Sequence, residues 1–203
     1  MDCPRAEAYI VEHLRQHLSP TLFYHGLHHT LDVAAQAEVL AEAEGVTDPE
    51  QRALLRTAAL YHDAGFLSTY QNHEEAGGEL ARQVLPGFGY SAAQVERVCR
   101  LILTTKVPQS PGPDLLAQLL CDADLDYLGR SDFWSISRTL FRELHARQLV
   151  PDEHAWNLIQ VKFLSQHRYW TRTAHTRREA AKQERLAEVR ALLGMPPTPD
   201  SQD

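Results

Sequence analysis

The residues of this chain that could do chemistry fall in four groups: His25, His28 and His29; His62 with Asp63; His73 with Glu74 and Glu75; and Asp122, Asp124 and Asp126. Each has an ordinary explanation. One His–Asp pair is what chance gives in a chain with eleven histidines. Adjacent histidines suit a wet helix start, and first-turn glutamates complement a helix dipole. Context sets two groups apart. His62–Asp63 closes the apolar run LLRTAALYHDAGF, and Asp122 and Asp124 lie between LLAQLLC and LDYLG. A buried carboxylate costs several kcal/mol unless it is paired or bound to metal. Two acids and two imidazoles converging at a helix end therefore make a divalent-cation site. Other motifs fail. An EF-hand opening at Asp122 would need Gly where Tyr127 stands and Glu where Phe133 stands. HEEAG lacks the second histidine of a zincin helix, and there is no Walker loop, nucleophile elbow or paired C-x-x-C.

The elements that must position these groups all read as helices. An amphipathic segment runs from about Arg5 to Leu18, and a second from Leu27 to Glu44 that stops at Gly45. Asp48–Pro49 supplies an N-cap and a proline at the first helical position, opening the helix that ends at His62–Asp63. Asn72 is placed to cap a helix over 73–85, and Ser91 another with Val95, Val98, Leu101 and Ile102 on one stripe. KVPQSPGPD, from Lys106 to Asp114, is a loop whose position suits a lid. Helices resume over about 114–127, 131–147, 152–169 and 173–193. The expected fold is all-α, a single domain of seven to nine helices over 1–193, with a disordered tail at 194–203.

Composition removes several function classes. The 203 residues are 43% hydrophobic and 23% charged, which excludes a wholly disordered chain, a collagen-like fibre and a disulfide-stapled miniprotein. Three scattered cysteines fit a reducing, cytoplasmic setting. No apolar run is long enough to span a membrane. A formal charge of −7 argues against a nucleic-acid partner. The basic stretch opening at Arg168 is read as a salt-laced helix rather than a nucleic-acid arm, and Trp134, Trp156, Phe163 and Trp170 as core.

In order along the chain, YHGLHHTLDV, LYHDAGF and LLCDADLDYLG resemble the H…HD…D pattern of the HD-domain superfamily of metal-dependent phosphohydrolases. The motif core covers residues 24–130, and NHEEAGG, LTTK and DADLDYLGR are similar to a group of small predicted HD phosphohydrolases. The resemblance implies a helical HD domain with metal ligands His29, His62, Asp63 and Asp124, Asp122 being the alternative distal acid. His73 is the one further candidate, for a second metal; where two-metal families offer another histidine, this chain has Thr105–Lys106.

Two imidazoles and two carboxylates favour Mn²⁺, Fe²⁺, Co²⁺, Ni²⁺ or Mg²⁺, and disfavour Zn²⁺ because no thiolate closes a tetrahedron. The implied activity is hydrolysis of a nucleotide or related small phosphate ester by a metal-activated water. Asp63 would also orient that water. Lys106 and Arg130 are the candidates for the phosphate oxygens, and His28 either holds the surroundings of His29 or protonates the leaving group. The alternatives are a cyclic-nucleotide phosphodiesterase and a nucleotide-sensing HD module without turnover.

Overall fold

The computed structural model of the chain describes residues 1–196, so most of the expected tail lies outside the described residues. Among the described residues there are nine α-helices and no strand: α1 Cys3–His17, α2 Leu27–Ala43, α3 Pro49–Tyr61, α4 His73–Val84, α5 Ala92–Thr104, α6 Leu115–Asp124, α7 Phe133–Ala146, α8 Glu153–Gln166 and α9 Arg172–Leu192. Short 3₁₀ turns at Ala64–Leu67, Leu85–Phe88 and Asp126–Gly129 join some of them. No helix is long and apolar enough to cross a membrane.

Local chemistry explains most of the boundaries. The Asp48 side chain accepts from the Glu50 amide with Pro49 following, and Ser91 closes a capping box with Gln94. Asn72 stands at the N-cap position of α4, but its side chain makes no capping hydrogen bond. Its backbone is left-handed (φ 56°), so its side chain is turned from the helix amides and accepts from Lys106 Nζ at 3.1 Å instead. Gly194, also left-handed, closes α9, and the Met195 amide returns to the Arg190 carbonyl.

The chain gathers into two compact units, Met1–Leu125 and a second beginning at Asp126. In the first, α2 and α3 pack together, α6 lies on α2, and α4 pairs with α5. Ile10, Leu14, Leu40, Leu55, Leu60, Tyr61, Leu101, Ile102 and Leu119 are wholly buried there, each contributing roughly 1.5–3 kcal/mol of apolar burial. In the second, α9 packs on α8 and on the Asp126–Gly129 turn. Of the four aromatics expected in the core, only Trp156 is buried; Trp134, Phe163 and Trp170 are half-buried.

One close approach brings α4 against the end of α3. A Cβ on Gly65 would stand 1.9 Å from the His73 carbonyl oxygen and 2.8 Å from the Gly77 amide nitrogen. Only glycine lets the start of α4 lie directly on the turn after Asp63. That contact carries His73 to the side of Asp63.

Candidate metal centre

Three helix ends meet in the first unit. His29 stands in the first turn of α2, His62 caps the C-terminus of α3, Asp63 begins the following turn, and Asp124 is the last residue of α6. The end of α3 leaves carbonyls without helical partners. The His62 ring satisfies one, Nδ1 donating to the Ala59 oxygen at 2.7 Å. This fixes the tautomer, so Nε2 presents its lone pair to the cluster. The C-terminal dipole ends of α3 and α6 favour a cation at the same place.

The facing atoms are close. His29 Nε2 lies 3.2 Å from Asp124 Oδ1, 3.4 Å from His62 Nε2 and 3.5 Å from Asp63 Oδ2. His62 Nε2 is 3.3 Å from Asp63 Oδ2 and 3.6 Å from Asp124 Oδ1. Ligands about 2.1 Å from one centre stand roughly 3.0 Å apart at right angles and roughly 3.4 Å apart at tetrahedral angles. The set fits a divalent cation. His62 is 1% exposed, Asp63 4% and His29 6%, and Asp63 Oδ2 is a buried oxygen with no hydrogen-bond donor among the described residues.

The electrostatics agree. Burial alone would raise the Asp124 carboxyl, but hydrogen bonds and charge from His29 and His62 outweigh it and hold the pKa at about 2. Asp63 is likewise buried, yet His62, His73 and His25 hold it well below the usual carboxylate range. Burial would lower His62; Asp63 and Asp124 reverse this and raise it well above the ordinary histidine value. Two buried carboxylates thus draw positive charge onto the imidazoles, and a divalent ion satisfies the same demand.

Comparison with known families decides the identity at this point: the HD-domain family model matches residues 26–126. Residues 26–126 form an HD domain. The chain thereby joins a superfamily of metal-dependent phosphohydrolases. No curated protein and no solved structure matches the chain.

Within the HD domain, the two readings of the distal acid separate. Asp124 belongs with His29 and His62, whereas Asp122, two residues earlier on α6, is fully buried and is not part of that group. His73 lies beside the cluster with Nε2 3.4 Å from Asp63 Oδ1 and 3.5 Å from Glu74 Oε1. The two oxygens of Asp63 therefore face different histidines. Phe66 stacks on His73 at 3.9 Å between ring centroids, with His25 4.4 Å away on Phe66, so an aromatic pile borders this side.

The other expected residues are placed less centrally. His28 is exposed, its ring lying near Gly26. Lys106 is bound to Glu75 and Asn72 at the surface. Arg130 belongs to the second unit, where it pairs with Asp132 and approaches Asp126 at 3.7 Å. Gln109 joins the site without any signal in the sequence motifs. From the Pro-rich loop its Nε2 donates to Asp124 Oδ2 at 3.0 Å, fixing the oxygen of Asp124 that faces away from the histidines. Its Oε1 is buried without a hydrogen-bond partner among the described residues.

Proposed function

We propose that the protein is a cytoplasmic, divalent-metal-dependent phosphohydrolase acting on a nucleotide or related small phosphate ester, with His29, His62, Asp63 and Asp124 as the ligand set. The observation that carries this reading is the convergence of two imidazoles and two carboxylates, three of them buried and Asp124 partly so, at 3.2–3.6 Å separations. A divalent ion bound there supplies Lewis acidity, making a water nucleophilic near neutral pH and polarising a phosphoryl oxygen. Mn²⁺, Fe²⁺, Co²⁺, Ni²⁺ and Mg²⁺ suit the mixed nitrogen and oxygen set better than Zn²⁺.

The chain's own residues divide the remaining work. Asp63, with Oδ2 facing His29 and His62 and Oδ1 facing His73, is the ligand that also orients the attacking water. Gln109 keeps Asp124 in one orientation. His28, exposed at the start of α2, supplies a proton to the leaving oxygen. Lys106 binds phosphate by exchanging Glu75 for the substrate, a swap between two anions at an exposed ammonium that costs little. A second ion, where one is used, is held by His73 and Asp63 with Glu74.

The test is hydrolysis of a panel of nucleotides and generic phosphate esters by chelator-stripped protein, with Mn²⁺, Mg²⁺, Co²⁺, Ni²⁺ and Zn²⁺ restored one at a time. Turnover is expected only with metal and is expected to vanish in Asp63→Ala. Tight metal binding with no turnover on any ester would replace the enzyme by a nucleotide-sensing module.

A further inference from the structure

The second unit contains a cavity of about 350 Å³ lined by Trp134, Arg138, Phe141, Trp156, Asn157 and Gln160 among others. That is the size range of small-molecule sites. Aromatic rings line it: Phe141 and Trp156 stack on each other, with centroids 6.4 Å apart and planes 27° from parallel, and Trp134 is held in place by its indole N–H donating to Glu188 at 2.8 Å.

The floor is polar, buried and oriented. The Trp156 indole N–H donates to Ser137 Oγ at 3.3 Å, and the Ser137 hydroxyl donates to Gln160 Oε1. Gln160 Nε2 then donates to Asn157 Oδ1 at 3.0 Å. Ser137 and Gln160 are 3% and 5% exposed. Every bond in this chain of side chains hands a donor toward Asn157, whose amide N–H₂ stands at its end. A chain of aligned hydrogen bonds polarises its last donor. Arg138 adds an exposed guanidinium that has no ion-pair or hydrogen-bond partner among the described residues.

We infer that this cavity binds a planar aromatic monoanion, its ring against the aromatic lining and its carboxylate on the Asn157 amide and the Arg138 guanidinium. Unspent donors call for an acceptor, and an arginine at the rim favours a charged one. Glu153 also lines the cavity and leaves the lining with no net charge, which selects a singly charged acid over a phosphate dianion. The site is separate in composition from the metal centre, so neither it nor its test depends on the phosphohydrolase reading.

The experiment is calorimetric titration of the full chain with naphthalene-2-carboxylate, its neutral carboxamide and adenosine monophosphate, with tryptophan fluorescence as a second readout. Saturable binding of the acid is expected below about 1 mM, the weak end of specific recognition. The carboxamide and the monophosphate should bind at least about tenfold more weakly, which is the worth of a charge-assisted hydrogen bond. Arg138→Gln alters an exposed side chain and should weaken the acid about tenfold while leaving the carboxamide unchanged. Asn157→Asp keeps the acceptor for Gln160 and should abolish binding of the acid; circular dichroism and melting confirm the fold of both variants. No saturable binding, equal binding of acid and carboxamide, or binding indifferent to both substitutions would overturn the inference. So would concentration-dependent dimerisation that Arg138→Gln or Asn157→Asp weakens, which would give the cavity to a second copy of the chain.

Discussion

Asp63 in the first unit and Asp126 in the second are both nearly fully buried, at 4% and 2% exposure, and the chain neutralises them in different ways. Asp126 receives two hydrogen bonds from the Arg178 guanidinium, at 2.7 and 3.0 Å, with Arg130 behind. Gly129 makes this possible, since a Cβ there would stand 2.3 Å from the Arg178 carbonyl oxygen and hold α9 away. The charge is permanent and the geometry complete. Asp63 has only imidazoles, at 3.3–3.5 Å, and those carry charge only when protonated. A buried acid closed off by arginine is a staple; a buried acid facing titratable nitrogens is left to be completed from outside.

Removing the internal cation should have the largest effect on stability. Arg178→Met removes both hydrogen bonds to the Asp126 carboxylate, leaving it only Arg130 at 3.7 Å, and should cost about 3 kcal/mol, read by denaturant unfolding, with metal affinity unchanged. The double variant with Asp126→Asn should recover most of the loss. A single variant as stable as the wild type would show that Asp126 is not held by that pair.

Asp63→Ala should do the converse. Unfolding of the metal-free protein should change by no more than about 1 kcal/mol, because the substitution also removes a desolvated charge. Metal affinity should fall by roughly a hundredfold or more, so that the rise in melting temperature on adding Mn²⁺ disappears. If the variant kept its metal-dependent stabilisation, Asp63 would belong with Asp126 as a structural acid.

The parts of the molecule that set these two acids apart differ in how far the sequence reveals them. Helix ends at Asp48–Pro49 and Ser91 are legible because the interaction that sets them spans only two or three residues. His62–Asp63 is legible because an apolar helix running into two ionisable residues signals burial at any tertiary arrangement. Asn72 misleads: the residue type suits a cap, but the chain enters α4 through a left-handed residue, which the approach of α4 to Gly65 accompanies. Arg130 and Lys106 look like free cations in sequence, and nearby acids engage both. Gln109 could not be read at all. Its contact with Asp124 joins residues fifteen apart across a loop whose path no local rule sets. The aromatic cavity is hidden for the same reason: periodicity does not show that a space is left beside Trp134 and Trp156.

Gln109 gives the next test of the contrast between the two acids, at smaller effect. It donates to the far oxygen of Asp124 and so acts as a positioning residue for a ligand it does not replace. Gln109→Ala should weaken metal binding by about tenfold, the usual worth of a hydrogen bond behind a metal ligand, with the melting temperature of the metal-free protein nearly unchanged. Titration with Mn²⁺ followed by electron paramagnetic resonance reads this without turnover. Unaltered affinity would place the loop outside the metal centre.

The smallest effect falls on an acid in the first unit that behaves as Asp126 does. Asp114 receives both terminal nitrogens of Arg97 and caps α6 through the Leu116 amide. The hydrogen bond from Arg97, ahead of the opposing effect of burial, holds its carboxyl below the ordinary value of 3.8. A depressed folded-state pKa contributes stability that is full above the unfolded value and is lost as pH falls through the folded one. Wild type should therefore melt above Asp114→Asn at pH 6, by an amount matching a partly exposed pair of up to about 1 kcal/mol, and the gap should close as the pH drops below about 3.8. Added metal should not change the gap, because an arginine has already completed this acid. A gap that tracked metal instead would mean that α6 feels the metal centre along its whole length, and that the separation between stapled and open acids does not hold within the first unit.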